Sequence, residues 1–181
     1  MEPIIIALIT IPIIILLIWY ISVSNSLNRA LVKIDEANSG IDVALTKRYD
    51  VLTKMIEVVK GYASHEKETL FEVINLRKGM TIEEKNDINN KMNHNYEQIK
   101  LLVENYPELK SSENYKTLQL SITDVEEHLQ AARRMYNSNV SIFNQKIVTF
   151  PSVIVAKVEG ITKREFFVAD EKKREDVKIN L

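Results

Sequence analysis

The stretch Tyr115–Phe150, "YKTLQLSITDVEEHLQAARRMYNSNVSIFNQKIVTF", decides the fold class. Within it Tyr115, Leu118, Ile122, Val125, Leu129, Ala132, Tyr136, Val140, Phe143, Ile147 and Phe150 recur at steps of three and four. Steps of three and four return to one side of an α-helix, so these side chains form a single apolar stripe. A repeat this regular suits coiled-coil-like packing against neighbouring helices. Pro151 predicts the end, because the residue before a proline is driven out of the helical region.

The same period occupies the chain upstream. Leu27, Leu31, Ile34, Ile41, Leu45, Leu52, Ile56, Val59, Ala63, Leu70 and Val73 follow it, with Asn38 and Glu66 as interruptions. No proline lies between Pro12 and Pro107. One helix is therefore predicted to run to Lys78-Gly79, where glycine can adopt the left-handed conformation that closes a helix. Unbroken, it rises about 75 Å from its start. "TIEE" at Thr81–Glu84 reads as a capping box that opens the next helix. Ile88, Met92, Tyr96, Ile99 and Val103 form its stripe, and Pro107 stops it. A turn over 109–112 leads into the helix quoted above. After Pro151, "SVIVAKV" and "REFFVADEKKRED" read as short helical pieces around Gly160. No segment shows the strict alternation of a half-buried strand, and no repeat of domain-building length occurs. The fold class is all-α.

"PIIIALITIPIIILLIWYISV" spans Pro3–Val23 without a charged residue. About twenty apolar residues at 1.5 Å each cross a hydrocarbon core of about 30 Å. Trp19 and Tyr20 sit near its end, where amphipathic rings favour the membrane interface. Pro12 bends the span, which membrane helices tolerate. A cleaved signal peptide predicts a basic start and a shorter apolar run, whereas this chain opens Met1-Glu2 and the run is long. Residues 1–23 are read as a single transmembrane anchor and 24–181 as one helical domain. Arg29, Lys33, Lys47 and Arg48 follow the span, so the positive-inside tendency places the domain in the cytoplasm.

Composition excludes several function classes. With no cysteine among 181 residues, disulfides, thiolate metal sites and cysteine nucleophiles are ruled out. A net charge of -1 provides no field for nucleic acid. His65-Glu66 resembles the opening of a zincin helix, but Thr69 occupies the place of the second histidine. His94 and His128 have no Glu three residues before them, as a di-iron bundle requires. No G-x-S-x-G turn, P-loop or dinucleotide fingerprint occurs. No catalytic residue, metal ligand or cofactor is predicted. Arg133-Arg134 reads as a cation pair facing a carboxylate of the first helix, or as a clamp for an acidic partner or a lipid phosphate. Arg48, Asp50, Tyr62 and His65, together with Arg133 and Arg134, are the candidate packing or partner-contact face. Acids interleave the basic residues of the tail, so it is not a polybasic lipid patch.

Three motifs carry a family resemblance: "DEANSGIDVALTKRYDVLTKMIEVVKGYASHEKETL" at Asp35–Leu70, "ARRMYNSNVSIFNQKIVTFPS" at Ala132–Ser152, and "ITKREFFVADEKKRED" near the end. In this order they resemble the LemA family over nearly the whole length from the anchor onward. The chain departs at Thr53, where the family often has a proline, and near Asn38, where it often has a tryptophan. The middle helix matches poorly. The resemblance implies a bacterial single-pass membrane protein with an up-and-down four-helix bundle and no established enzymatic activity. It also implies a link to membrane metalloproteases of the HtpX type, hence to envelope maintenance and membrane protein quality control.

The expectation is thus a non-enzymatic, membrane-anchored helical scaffold or adaptor. Its partners are the lipid bilayer, other proteins such as a membrane metalloprotease, and further copies of itself, with no nucleic acid. The second expectation is a membrane-linked sensor of envelope stress.

Overall fold

A computed structural model describes residues 2–62 and 71–168. It contains five helices: α1 (Glu2–Tyr62), α2 (Ile82–Glu104), α3 (Pro107–Ser111), α4 (Glu113–Val148) and α5 (Ser152–Val158). No strand occurs among the described residues, so the protein is all-α. The chain divides into two units, and α1 and α4 each contribute to both.

The first unit combines the chain up to Ala37 with Met135–Glu165. Its core is Leu27, Ile34, Tyr136, Val140, Phe143 and Ile147, closed by Val155 and Ala156 of α5. Polar contacts run alongside. The Tyr136 hydroxyl donates to the Glu165 carbonyl at 3.0 Å. The Asn144 side chain holds both backbone groups of Arg164, at 2.8 and 2.9 Å. At the N-terminal end of α1, Ile6, Leu8, Leu16 and Ile18 are all more than half exposed. This is the stretch long and apolar enough to cross a membrane.

The second unit begins at Asn38, runs to Arg134, and resumes at Phe166. Ile41, Leu45, Leu52, Met55 and Val59 of α1 pack with Met92 and Ile99 of α2 and Ile122, Val125 and Leu129 of α4. Thr81 and Glu84 form the predicted capping box, with Oε2 of Glu84 accepting from the Thr81 N–H at 2.9 Å. Pro107 opens α3 at its first turn, where a missing N–H costs nothing.

Two sequence expectations are corrected here. The first helix does not continue to Lys78-Gly79, since 71–81 is non-helical and Val73 is 78% exposed. The reason is local: the buried Asn95 amide accepts from the Glu72 N–H at 2.8 Å and donates to the Glu72 carbonyl at 2.9 Å. It takes both backbone groups that a helix would use. Gly79 is left-handed, with φ 75°, but in the turn before Thr81 rather than as the end of α1. Ala63 and Leu70 lie outside the described residues. The second correction concerns the piece after Gly160, where 161–168 is not helical.

The direction of α2 differs from a simple up-and-down order. Lys85 bonds Asn38 and Asp42, while Arg48 bonds Asn89 and Asn93. Partners rise together along both helices, so α2 runs parallel to α1. The connection must return about 36 Å, and its nineteen residues (63–81) span up to about 63 Å when extended.

The Glu84 carboxyl sits below the usual carboxylate range, held first by the Thr81 N–H and then by the Arg77 guanidinium. A depressed folded value stabilises above the unfolded value and is lost as pH falls through the folded one. Acid titration of thermal stability should therefore show Glu84→Gln less stable than the parent at neutral pH. The difference should shrink as pH drops below the usual carboxylate range.

Candidate functional site

Polar residues occupy core positions along the three long helices of the second unit. Arg48 stands three residues after Leu45 and four before Leu52, on the apolar stripe of α1, and is 3% exposed. Lys85 precedes Ile88 by three and is 1% exposed. Glu126 lies between Ile122 and Leu129 of α4 at the same spacing. A charged side chain on a core stripe is stable only when partners replace its water.

Arg48 has those partners. One Nη donates to Oδ1 of Asn89 and the other to Oδ1 of Asn93 at 2.7 Å. The second Nη also lies 2.9 Å from Glu126 Oε2. Burial pushes the Arg48 guanidinium downward, opposed by the Glu126 carboxylate and by Tyr96. It remains charged at neutral pH, since arginine is not deprotonated in proteins. Lys85 Nζ donates to Asn38 Oδ1 at 2.7 Å and pairs with Asp42 at 2.5 Å. Arg48 thereby ties α1 to both α2 and α4.

The other predicted site residues fall elsewhere. Arg133 lies 4.7 Å over the Phe167 ring, a cation–π contact. Burial also lowers its guanidinium, which Glu126 raises and Arg48 lowers. The expected pairing of Arg133-Arg134 with a first-helix carboxylate is replaced by the reverse polarity: the cation is Arg48 on α1 and the carboxylate is Glu126 on α4. Arg134 is exposed. Asp50 is exposed on α1, and Tyr62 is 48% exposed at its end. His65 lies outside the described residues. Of the predicted set, only Arg48 and Arg133 approach one centre, around Glu126.

Arg48, Asn93, Tyr96, Glu126, Glu127 and Gln130 border an open cleft of about 780 Å³ between α2 and α4. His94 and Glu97 stand at its edge, and Lys100 pairs with Glu97 at 2.7 Å. Among the described residues no three His, Asp or Glu side chains gather as a metal site. The cleft offers hydrogen-bond donors and acceptors from Arg48, Asn93, Glu126, Glu127 and Gln130.

Comparison with known proteins assigns the lineage. The LemA family profile matches residues 37–181, a segment that holds Arg48, Glu126 and Arg133. The chain belongs to the LemA family. It is 32% identical to Protein LemA of Metamycoplasma hominis over 170 residues, covering 87% of this chain and 74% of that protein. A shorter likeness joins it to Magnetosome protein MamQ of Magnetospirillum gryphiswaldense, 29% identical over 66 residues, or 36% of this chain and 24% of that protein. Magnetosome protein MamQ 2 of Paramagnetospirillum magneticum is 30% identical over the same length. The LemA family is not known as enzymatic.

Sequence reasoning missed Lys85, Asn89, Asn93, Asn95 and Glu126. Their signal was present as polar residues at core spacing, the gaps in otherwise apolar stripes. Arg48→Met should lower global stability by about 2–4 kcal/mol, because it strands the buried Asn89 amide, the half-buried Asn93 amide and a half-buried carboxylate. Glu126→Gln should cost less, about 1 kcal/mol, since its side chain is about one third exposed and the amide oxygen can still accept from Arg48. Denaturant unfolding of both variants checks the order.

Proposed function

We propose that this LemA-family protein is a non-enzymatic, membrane-anchored helical scaffold that presents its domain to protein partners. The carrying observation is the continuity of α1: one helix, Glu2–Tyr62, holds an unburied apolar stretch at its start and a buried core stripe later. Residues 1–23 serve as the anchor and 24–181 as the helical domain. Arg29 and Lys33, just past the apolar stretch, favour a cytoplasmic domain. The polar cleft bordered by Arg48, Glu126 and Glu127 is the face offered to partners. A membrane metalloprotease and a second copy of the chain are the partner classes favoured by the sequence resemblance, with membrane protein quality control as the setting.

Crosslinking in intact cells, followed by mass spectrometry of the purified membrane fraction, tests this reading. The protein should stay in the membrane pellet after alkaline extraction. Crosslinks should join cleft residues to another protein or another copy. A strictly monomeric particle with no crosslinked partner contradicts the scaffold, and release by alkaline extraction contradicts the anchor.

A further inference from the structure

Two hydrogen bonds fix the register of α4 on α1 in the first unit. Lys146 Nζ donates to Ser26 Oγ at 3.0 Å, and Asn139 Nδ2 donates to the Lys33 carbonyl at 2.9 Å. Seven residues back along α4 match seven forward along α1, so the helices are antiparallel there. Continuing this register brings Phe150 level with Ser22. The far end of α5 has an independent marker: the Tyr20 hydroxyl donates to Glu159 Oε1 at 3.2 Å. The two ends of the α5 segment thus stand level with α1 positions only two residues, about 3 Å, apart. The helix itself, Ser152–Val158, is about 10 Å long. Its far end therefore stands beside the end of the apolar stretch. Past Gly160, with φ 66°, the chain turns back, and Arg164 pairs with Asn144.

Val155 and Ala156 of α5 are buried against the unit. Ile154 and Val158, four apart on the helix, are 48% and 70% exposed, and Phe150, in the turn just before it, is 77% exposed. A soluble surface helix presents polar groups on its outer side. Here the outer side is apolar, and it stands level with the end of the membrane-length stretch. Beyond it on α1, Arg29 and Lys33 join Lys146 around a hollow of about 240 Å³ whose lining includes no acid. Exposed Lys157 lies between the apolar side chains. Apolar side chains flanked by cations characterise an element lying in a bilayer interface next to anionic headgroups.

We infer that the α5 segment is a second membrane contact. Phe150, Ile154 and Val158 lie in the headgroup layer of the bilayer crossed by α1, and Lys146, level with Ser26 and about 6 Å beyond Phe150, faces its anionic phosphates. The inference rests on the reading of residues 1–23 as an anchor. The domain is then held to the membrane at two points, which limits its swing about α1 and gives the scaffold a defined orientation.

The absence of cysteine makes the test direct. Single variants Leu17→Cys, Phe150→Cys, Val158→Cys and Leu120→Cys of the full chain carry an environment-sensitive fluorophore in bilayers of phosphatidylcholine and phosphatidylglycerol. All four positions are exposed on the protein, so labelling spares the core. Labels at 150 and 158 should be quenched by headgroup nitroxide lipids and be several-fold less sensitive to aqueous iodide than the label at 120. The label at 17 should be quenched by acyl-chain nitroxides. Iodide sensitivity at 150 and 158 equal to that at 120, with 17 still in the acyl region, overturns the inference and leaves the anchor standing. A label at 17 that escapes acyl-chain quenching overturns both.

Discussion

Two buried cations between α1 and α2 set the path of the second unit. Arg48 and Lys85 each reach partners four residues apart on the opposing helix. One register satisfies both, because any slip leaves a guanidinium or an ammonium desolvated without its acceptors. Ion pairs of this kind add little net stability over an apolar core, but an unpaired buried charge is costly. Their contribution is selective, excluding the alternatives to a parallel α2. That alignment in turn demands a long return connection, and the Asn95 clasp on Glu72 holds part of it as extended chain. Glu126 draws α4 onto the same guanidinium.

α1 changes character along its length. Its start is apolar and long enough to cross a membrane, and its later turns alternate a buried stripe with charge. In the first unit the change falls near Trp19 and Tyr20, where the Tyr20 hydroxyl reaches Glu159 just past α5. LemA membership and this helix together describe a membrane-anchored helical protein.

Much of this was legible in the chain. The three-and-four spacing of Ile122, Leu129, Tyr136, Val140 and Phe143 predicted α4 and its buried face. The Thr81–Glu84 pattern predicted the start of α2, and Pro107 its limit. Phe150 was counted in the stripe but is exposed, because α4 ends at Val148 before the stripe does. The direction of α2 was not legible, because helical period carries no sign of parallel or antiparallel packing. Gly79 invited an early reading of the turn, and nothing local to Glu72 announced that Asn95, remote in sequence, would capture its backbone. The candidate site was half visible: Arg48 and Arg133 stood out as charges beside a stripe, but Glu126 and Lys85 looked like ordinary solvated residues. Polar residues at core spacing are the feature that separates them from the surface.

The parallel register of α1 and α2 is the claim on which the rest depends, and a spin-label distance measurement tests it most directly. Thr46→Cys and Asn90→Cys place labels on exposed turns of the two helices. Parallel packing sets these turns side by side, with helix axes about 8–10 Å apart, so double electron–electron resonance should return a short distance dominated by the labels themselves. An antiparallel hairpin closing at Gly79 would separate the same two turns by a further axial distance on the order of 36 Å. A short distance is the result the account predicts, and the long one would contradict it.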